Sequence, residues 1–454
     1  MMKSMRPLWA ALAVAGVFTL HMPATAVAMI ATGEAPAATD GQAALDALQR
    51  ARIGDLRQVE ALLQRGGLGP ATASLLEAQY AAAHGRDAAA RDALARYFAS
   101  ADADPARMTR AWEVASETAF MAGRYEEAAR YADLLLTRSQ NRNPFLQDGT
   151  RRLLEIATLL AREPGQVLER PGNGQPVPLK RDKVGLLRAE FSTGQSREEA
   201  LLDTGANLSV ASASAAARLG LRIIDGASSV GNSLGGSVDV KLGIADRLEF
   251  GGAVLRNVVF VIMDDAALEF PVPGGYRIDA IIGLPVMRAV GRMDFGPGET
   301  LRITGSEATA EAPGNLRLIG SNPFVVTTIA DQTHALFLDT GANRSSLSKL
   351  FAAARPDLMP EDTGEVGGKA GVGGAEKVRH ALYRALPVAI GGPAATAMDL
   401  KLELADSEDP DQPEGIIGAD ILSRFESFSI DFGSMTLSVG QPRVAAARPA
   451  THAR

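Results

Sequence analysis

The chain has 454 residues, 46% hydrophobic and 22% charged, which is ordinary for a soluble globular protein and argues against global disorder or a polytopic membrane protein. A formal net charge of −7, with Lys and Arg scattered among Asp and Glu, points away from nucleic acid. With no cysteine there can be no disulfide, thiolate zinc site, cysteine nucleophile or cysteine-linked lipid; the five histidines (His21, His84, His334, His380 and His452) form no ligand-like pair, so no metal or other cofactor is expected.

Residues 1–28 read as an export signal. Lys3 and Arg6 precede an apolar run from Leu8 to Leu20, and Ala24-Thr25-Ala26 and Ala26-Val27-Ala28 offer small-x-small cleavage sites. A periplasmic or secreted protein is the expectation. The alternative is an uncleaved N-terminal anchor, against which His21 and Pro23 interrupt the run before the roughly 20 residues that a membrane span needs. Residues 35–163 are rich in Ala, Leu, Arg and Glu at helical period, which predicts an all-helical domain. Two stretches there look alike, with Gly85-Arg86 and Gly123-Arg124 each between amphipathic helices and 38 residues apart. The pattern resembles tetratricopeptide-like hairpins, whose period is about 34 residues; an irregular bundle fits the sequence equally well. Pro164, Pro171, Pro176 and Pro178 with Gly165, Gly172 and Gly174 mark residues 164–183 as a linker. Beyond it, alternating runs such as Val184 to Phe191, Val254 to Ile262 and Phe324 to Ile329 predict a mostly β region, and residues 442–454 read as a disordered tail.

Laid on itself at an offset of 136 residues, the β region repeats. Ala200-Leu201-Leu202-Asp203-Thr204-Gly205-Ala206-Asn207 answers Leu336-Phe337-Leu338-Asp339-Thr340-Gly341-Ala342-Asn343. Val230-Gly231 answers Val366-Gly367, and Gly235-Gly236 is echoed by Gly373-Gly374. Ile281-Ile282-Gly283-Leu284 answers Ile416-Ile417-Gly418-Ala419, with the glycines 80 and 79 residues after their aspartates, and Asp294-Phe295-Gly296 answers Asp431-Phe432-Gly433. One Asp-Thr-Gly means little, but two embedded in the same ordered landmarks do not arise by coincidence.

Residues 184–441 resemble the pepsin-like and retropepsin-like aspartic peptidases, the apolar-apolar-Asp-Thr-Gly-Ala signature being closest to the retropepsin form. The resemblance implies two β lobes, residues 184–312 and 313–441, related by a pseudo-twofold axis. It implies a catalytic pair, Asp203 and Asp339, with Thr204, Gly205, Ala206, Thr340, Gly341 and Ala342 supporting it. Thr204 and Thr340 would hydrogen-bond across the lobe interface, Gly283 and Gly418 would complete the ψ-shaped loops, and Gly235, Gly236, Gly373 and Gly374 would lie in two flaps. The flap segments also read as ordinary surface loops, since neither carries the tyrosine of pepsin-type flaps. Pepsin-like enzymes place Ser or Thr where this chain has Ala206 and Ala342, which favours a less acidic pair.

Two carboxyls sharing one proton can supply both the base that activates water and the acid that protonates the scissile carbonyl. The expected activity is therefore an aspartic endopeptidase acting on protein or peptide substrates. A monomer is expected because one chain carries both lobes, and the helical domain could hold a protein partner. A non-catalytic binding protein on the same scaffold, or a peptidase with one native target, is the rival reading. Gly231-Asn232-Ser233-Leu234-Gly235 spells the serine-hydrolase elbow but is expected to be accidental, since that motif needs a helix after it. The acidic group Asp406, Glu408, Asp409, Asp411 and Glu414 matches no calcium loop and reads as a solvated connection.

Overall fold

The computed structural model describes residues 11–12 and 40–443, apart from 101–103, 140–142, 232–236, 271–273, 307–313, 372–373, 393–394, 408 and 410. The expected signal segment, except residues 11–12, and the tail from residue 444 lie outside the described residues. No helix among the described residues is long and apolar enough to cross a membrane.

Among the described residues, the two-residue strand Ala11–Leu12 is followed by seven helices: α1 (Asp40–Ala51), α2 (Arg57–Arg65), α3 (Pro70–Ala83), α4 (Asp87–Ala99), α5 (Pro105–Met121), α6 (Tyr125–Arg138) and α7 (Pro144–Leu160). Their starts are written locally. Asp104 and Asn143 each accept from two backbone N–H groups of the first turn, and Pro105 and Pro144 occupy the first position, where a missing N–H costs nothing. The α3–α4 and α5–α6 turns are the same turn twice: Gly85 and Gly123 have φ of 67° and 70°, and the Arg86 and Arg124 N–H groups donate to Ala81 and Ala119 carbonyls, each at 2.9 Å. Buried alanines such as Ala47, Ala78, Ala93, Ala111 and Ala128 let the helices pack closely.

Two six-stranded barrels with the same strand order follow. In the first half, Leu187–Ser192 pairs with Arg197–Leu202, then Ala280–Ile282, Ser209–Ser212, Ala253–Met263 and Ser237–Phe250, which returns to Leu187–Ser192. In the second, Asn322–Ile329 pairs with Gln332–Leu338, then Gly415–Ile417, Ser346–Leu347, Thr396–Glu403 and Gly374–Ile390, which returns to Asn322–Ile329. The strands that lead to the two Asp-Thr-Gly loops are apolar on both faces, and Ala200-Leu201-Leu202 in the first half and Phe337-Leu338 in the second are buried. The last landmark of the repeat joins the halves: Arg292–Gly296 pairs antiparallel with Phe428–Asp431, and the rings of Phe295 and Phe428 stack at 4.2 Å.

Three expectations are corrected. Residues 164–183 are not a free linker, for Val167–Arg170 pairs with Ala253–Met263 and Val177–Arg181 pairs with Leu187–Ser192 and Thr300–Thr304. Proline excludes helix there, but Pro171 and Pro176 fall outside these strands and Pro178 lies near a strand start, opposite Thr300 and before the residues that pair with Leu187–Ser192. The tail begins later than residue 442, because Pro442 bridges to Phe425 and Arg443 Nε donates to the Phe425 carbonyl at 2.9 Å. The acidic connection is only partly solvated. Asp406 is exposed beside Lys349, whereas Asp411 pairs with Arg52 of the helical region at 2.7 Å and Glu414 is buried 2.7 Å from His334 Nδ1. Glu408 lies outside the described residues.

Candidate active site

The site is built from two copies of one loop. In each half a buried apolar strand delivers an aspartate to the barrel's edge, where a parallel strand receives it: Leu201 and Leu202 pair with Ile281 and Ile282, and Phe337 and Leu338 with Ile416 and Ile417. The Asp203 N–H donates to the Ile282 carbonyl at 3.1 Å and the Asp339 N–H to the Ile417 carbonyl at 3.0 Å. The chain then turns back, and the N–H groups of Leu284 and Ala419 donate to the carbonyls of Ala206 and Ala342 at 2.9 and 2.8 Å. Gly283 and Gly418 sit inside these ψ-shaped crossings, where a Cβ would come within 2.6 Å of the Leu208 and Ala342 carbonyl oxygens, respectively.

Between the halves, Thr204 and Thr340 form a reciprocal lock. Each backbone N–H donates to the other's hydroxyl at 3.0 Å, and each hydroxyl donates to the carbonyl before the other aspartate, Thr204 to Leu338 at 2.6 Å and Thr340 to Leu202 at 2.8 Å. The lock brings Asp203 and Asp339 together, both with no exposed surface. A Cβ on Gly205 would sit 2.9 Å from Asp339 Cγ, and one on Gly341 closer still to Asp203 Cγ, so the two glycines permit the approach.

Each carboxyl is held by its own loop. Gly205 N–H donates to Asp203 Oδ1 at 2.8 Å, and Gly341 and Ala342 N–H groups both donate to Asp339 Oδ1 at 2.9 Å. Burial and then the neighbouring Asp339 charge push the Asp203 carboxyl well above the usual aspartate range, while the loop N–H groups pull it partly back.

Reading the sequence missed two serines that brace the ψ crossings. Ser209 Oγ accepts from Gly283 N–H at 3.2 Å and Ser345 Oγ from Gly418 N–H at 2.8 Å. The signal was available, since the repeat runs two residues past Asn207 and Asn343 as Asn-x-Ser in both copies. The halves then diverge, for Ser345 Oγ donates to Asp420 at 2.6 Å while Pro285 stands at the matching place in the first copy.

The expected flap segments are the ends of two long antiparallel hairpins, Arg222–Gly231 with Ser237–Phe250 and Glu361–Gly371 with Gly374–Ile390. Gly374 pairs with Gly371 beside the second tip; Gly235, Gly236 and Gly373 lie outside the described residues. Gly231, which opens the elbow-like motif, ends one strand of a hairpin whose next element is another strand, not a helix. Ser229 and Val230 of the first hairpin line a cavity of about 400 Å³ whose floor includes Gly205, Ala206, Asn207 and Leu208.

A family model described as aspartyl protease matches residues 188–286, which span Asp203 and Gly283. A retropepsin-like aspartic protease from Rickettsia conorii, a solved structure, is similar at 19% identity and a TM-score of 0.17, over 24% of this chain and 77% of that one. No curated protein matches the chain. With a closed barrel, the Asp-Thr-Gly loop and the ψ crossing all inside the matched segment, this chain carries an aspartic protease-like domain.

Proposed function

We propose that the chain is an aspartic endopeptidase in which Asp203 and Asp339, one from each of two lobes related by a pseudo-twofold axis, activate water for attack on a peptide bond. The observation that carries this reading is the pair of buried, abutting carboxyls, each held by N–H groups of its own loop, with Asp203 pushed upward by burial and by its partner. A purely structural role gives no reason to bury two like charges against each other, because replacing them by apolar groups would be more stable. The ionised carboxyl takes a proton from water as the water attacks the carbonyl carbon, and the protonated carboxyl donates to the carbonyl oxygen. The resulting tetrahedral diol collapses as the C–N bond breaks: the carboxyl that took the water's proton gives it to the departing amine nitrogen and the other carboxyl recovers a proton from a diol hydroxyl, returning the pair to its starting state.

Ala206 and Ala342 bring no hydroxyl to the carboxyls, which supports activity nearer neutral pH than a hydroxyl-braced pair would have. A rate profile peaking below about pH 4, the ordinary aspartate range, would count against this. Because a single chain supplies both aspartates, the working form is read as a monomer. The repeated Gly85 and Gly123 turns support a tetratricopeptide-like reading of α3–α6, and with it a surface for a protein partner. Lys3, Arg6 and the Leu8–Leu20 run support export to the periplasm or beyond.

The test is digestion of a denatured protein mixture by the wild type beside Asp203→Asn and Asp339→Asn, with and without a pepstatin-type inhibitor. Cleavage lost in both variants supports the reading. A second reading, a peptidase restricted to one native target, is favoured by the helices that crowd the cavity; it predicts weak digestion of the mixture together with cleavage of a protein captured by the Asp203→Asn form.

A further inference from the structure

The helical region reaches the loop that carries Asp203. Across the 400 Å³ cavity, Phe120 of α5 and Leu153 and Ile156 of α7 face Ala206 and Leu208 of the Asp203 loop and Val230 of the first hairpin. The cavity lies within the roughly 300–1,000 Å³ range of ligand sites, and its lining is mixed: these apolar side chains share it with the charged Arg52, Glu113, Glu117, Arg152, Asp409 and Asp411. Ile156 belongs to the same buried apolar cluster as Ala206 and Val210, and Phe120 and Val230 pack at its border.

The same helices are built into the rest of the molecule. Arg222 at the base of the first hairpin pairs with Glu163, just past α7, at 2.8 Å, and a Cβ at Gly226 would collide with Leu159 of α7. Leu160 and Tyr125 are buried against the first half, while residues of α1 to α5 share a buried cluster with Ile319, Phe324 and Phe337 of the second. Removing the helices would bare apolar surface on both halves, which soluble proteins avoid. A detachable cover would leave a polar face behind.

We propose that α5 and α7 are a permanent wall of the substrate site, and that the pocket between Phe120, Leu153, Ile156 and Val230 receives a bulky apolar side chain of the substrate within a few residues of the bond that is cut. This rests on the peptidase reading and gives the helical region a role in it: a specificity element, not a segment shed on activation. The substrate class it selects is a peptide carrying a residue the size of Leu, Met or Phe at one fixed position.

The experiment is peptide-library digestion by the full chain, comparing wild type with Leu153→Trp, which fills the pocket, and Phe120→Ala, which enlarges it. Circular dichroism and thermal unfolding establish that each variant is folded, and intact mass is measured on the active species. The wild type is expected to favour a bulky apolar residue at one position. Leu153→Trp should lower the kcat/KM ratio of bulky over small side chains there by about tenfold or more, and Phe120→Ala should raise it for the largest rings, in line with the roughly 10–200-fold that pocket fit can confer. Selectivity indifferent to both substitutions in folded variants overturns the wall while leaving the peptidase intact. So does an active species that has lost α1–α7. Failure of the wild type to cut any peptide overturns the peptidase reading, and the wall with it.

Discussion

The two long hairpins begin from one sequence plan and end in different surroundings. Both leave a six-stranded barrel, and both carry the Val-Gly pair at the matching place. The first lies against α7, with Ser228 Oγ 3.4 Å from Glu155 and Gly226 beneath Leu159. The second has no comparable backing from a helix among the described residues; Val366 is about half exposed, and Met359, just before it, is 84% exposed. A hairpin's own sequence sets its ladder of hydrogen bonds, but its freedom is set by what lies behind it. At the aspartates the halves are equal partners; at the hairpins they are not.

The largest effect should come where the halves are equal. Asp203→Asn and Asp339→Asn are each expected to cut activity by about 10²–10⁴-fold, measured as kcat/KM on a cleaved peptide. Neither should lower the melting temperature. The raised Asp203 value means that its contribution to stability is full below the ordinary aspartate range and is lost as pH rises through the higher folded value. The melting temperature of Asp203→Asn minus that of wild type should therefore grow as pH rises from acid toward neutral, and a pH-independent difference would show that the carboxyls do not interact.

The threonine lock is next. Thr204→Val or Thr340→Val leaves a buried N–H without its hydroxyl, a loss of about 1–3 kcal/mol in urea unfolding. Because the two share one network, the double substitution should cost less than the sum, and strict additivity would break the reciprocal arrangement. The contrast between hairpins is sharpened by hydrogen exchange: amides of residues 222–231 should exchange more slowly than those of 361–371, and Leu159→Ala should speed the first without changing the second. Equal exchange in the wild type would mean that α7 does not restrain its hairpin. The smallest effect is expected for Glu155→Ala, below about 0.5 kcal/mol, since one long, partly exposed hydrogen bond contributes little.

What could be read from residues alone was local or repeated. Helical period in residues 40–160, the apolar strands before Asp203 and Asp339, and the glycines that let the loops meet all follow from backbone and side-chain rules acting over a few residues, and the duplication made the second copy visible from the first. The Asn-x-Ser continuation was equally legible and was overlooked. The strands at Val167–Arg170 and Val177–Arg181 were not legible, because their partners lie far along the chain and proline masked their pattern. Nor was the burial of Glu414 and the pairing of Asp411, which depend on His334 and Arg52 arriving from other elements.

The existence of two like acidic loops is written in residue order alone, because a repeat is a property of order along the chain. That α5 and α7 line a cavity with one of them came from packing across the whole molecule. An apolar helix face states that it must be buried, but the hydrophobic effect has no direction, so which surface buries it is chosen by the packing of the whole molecule.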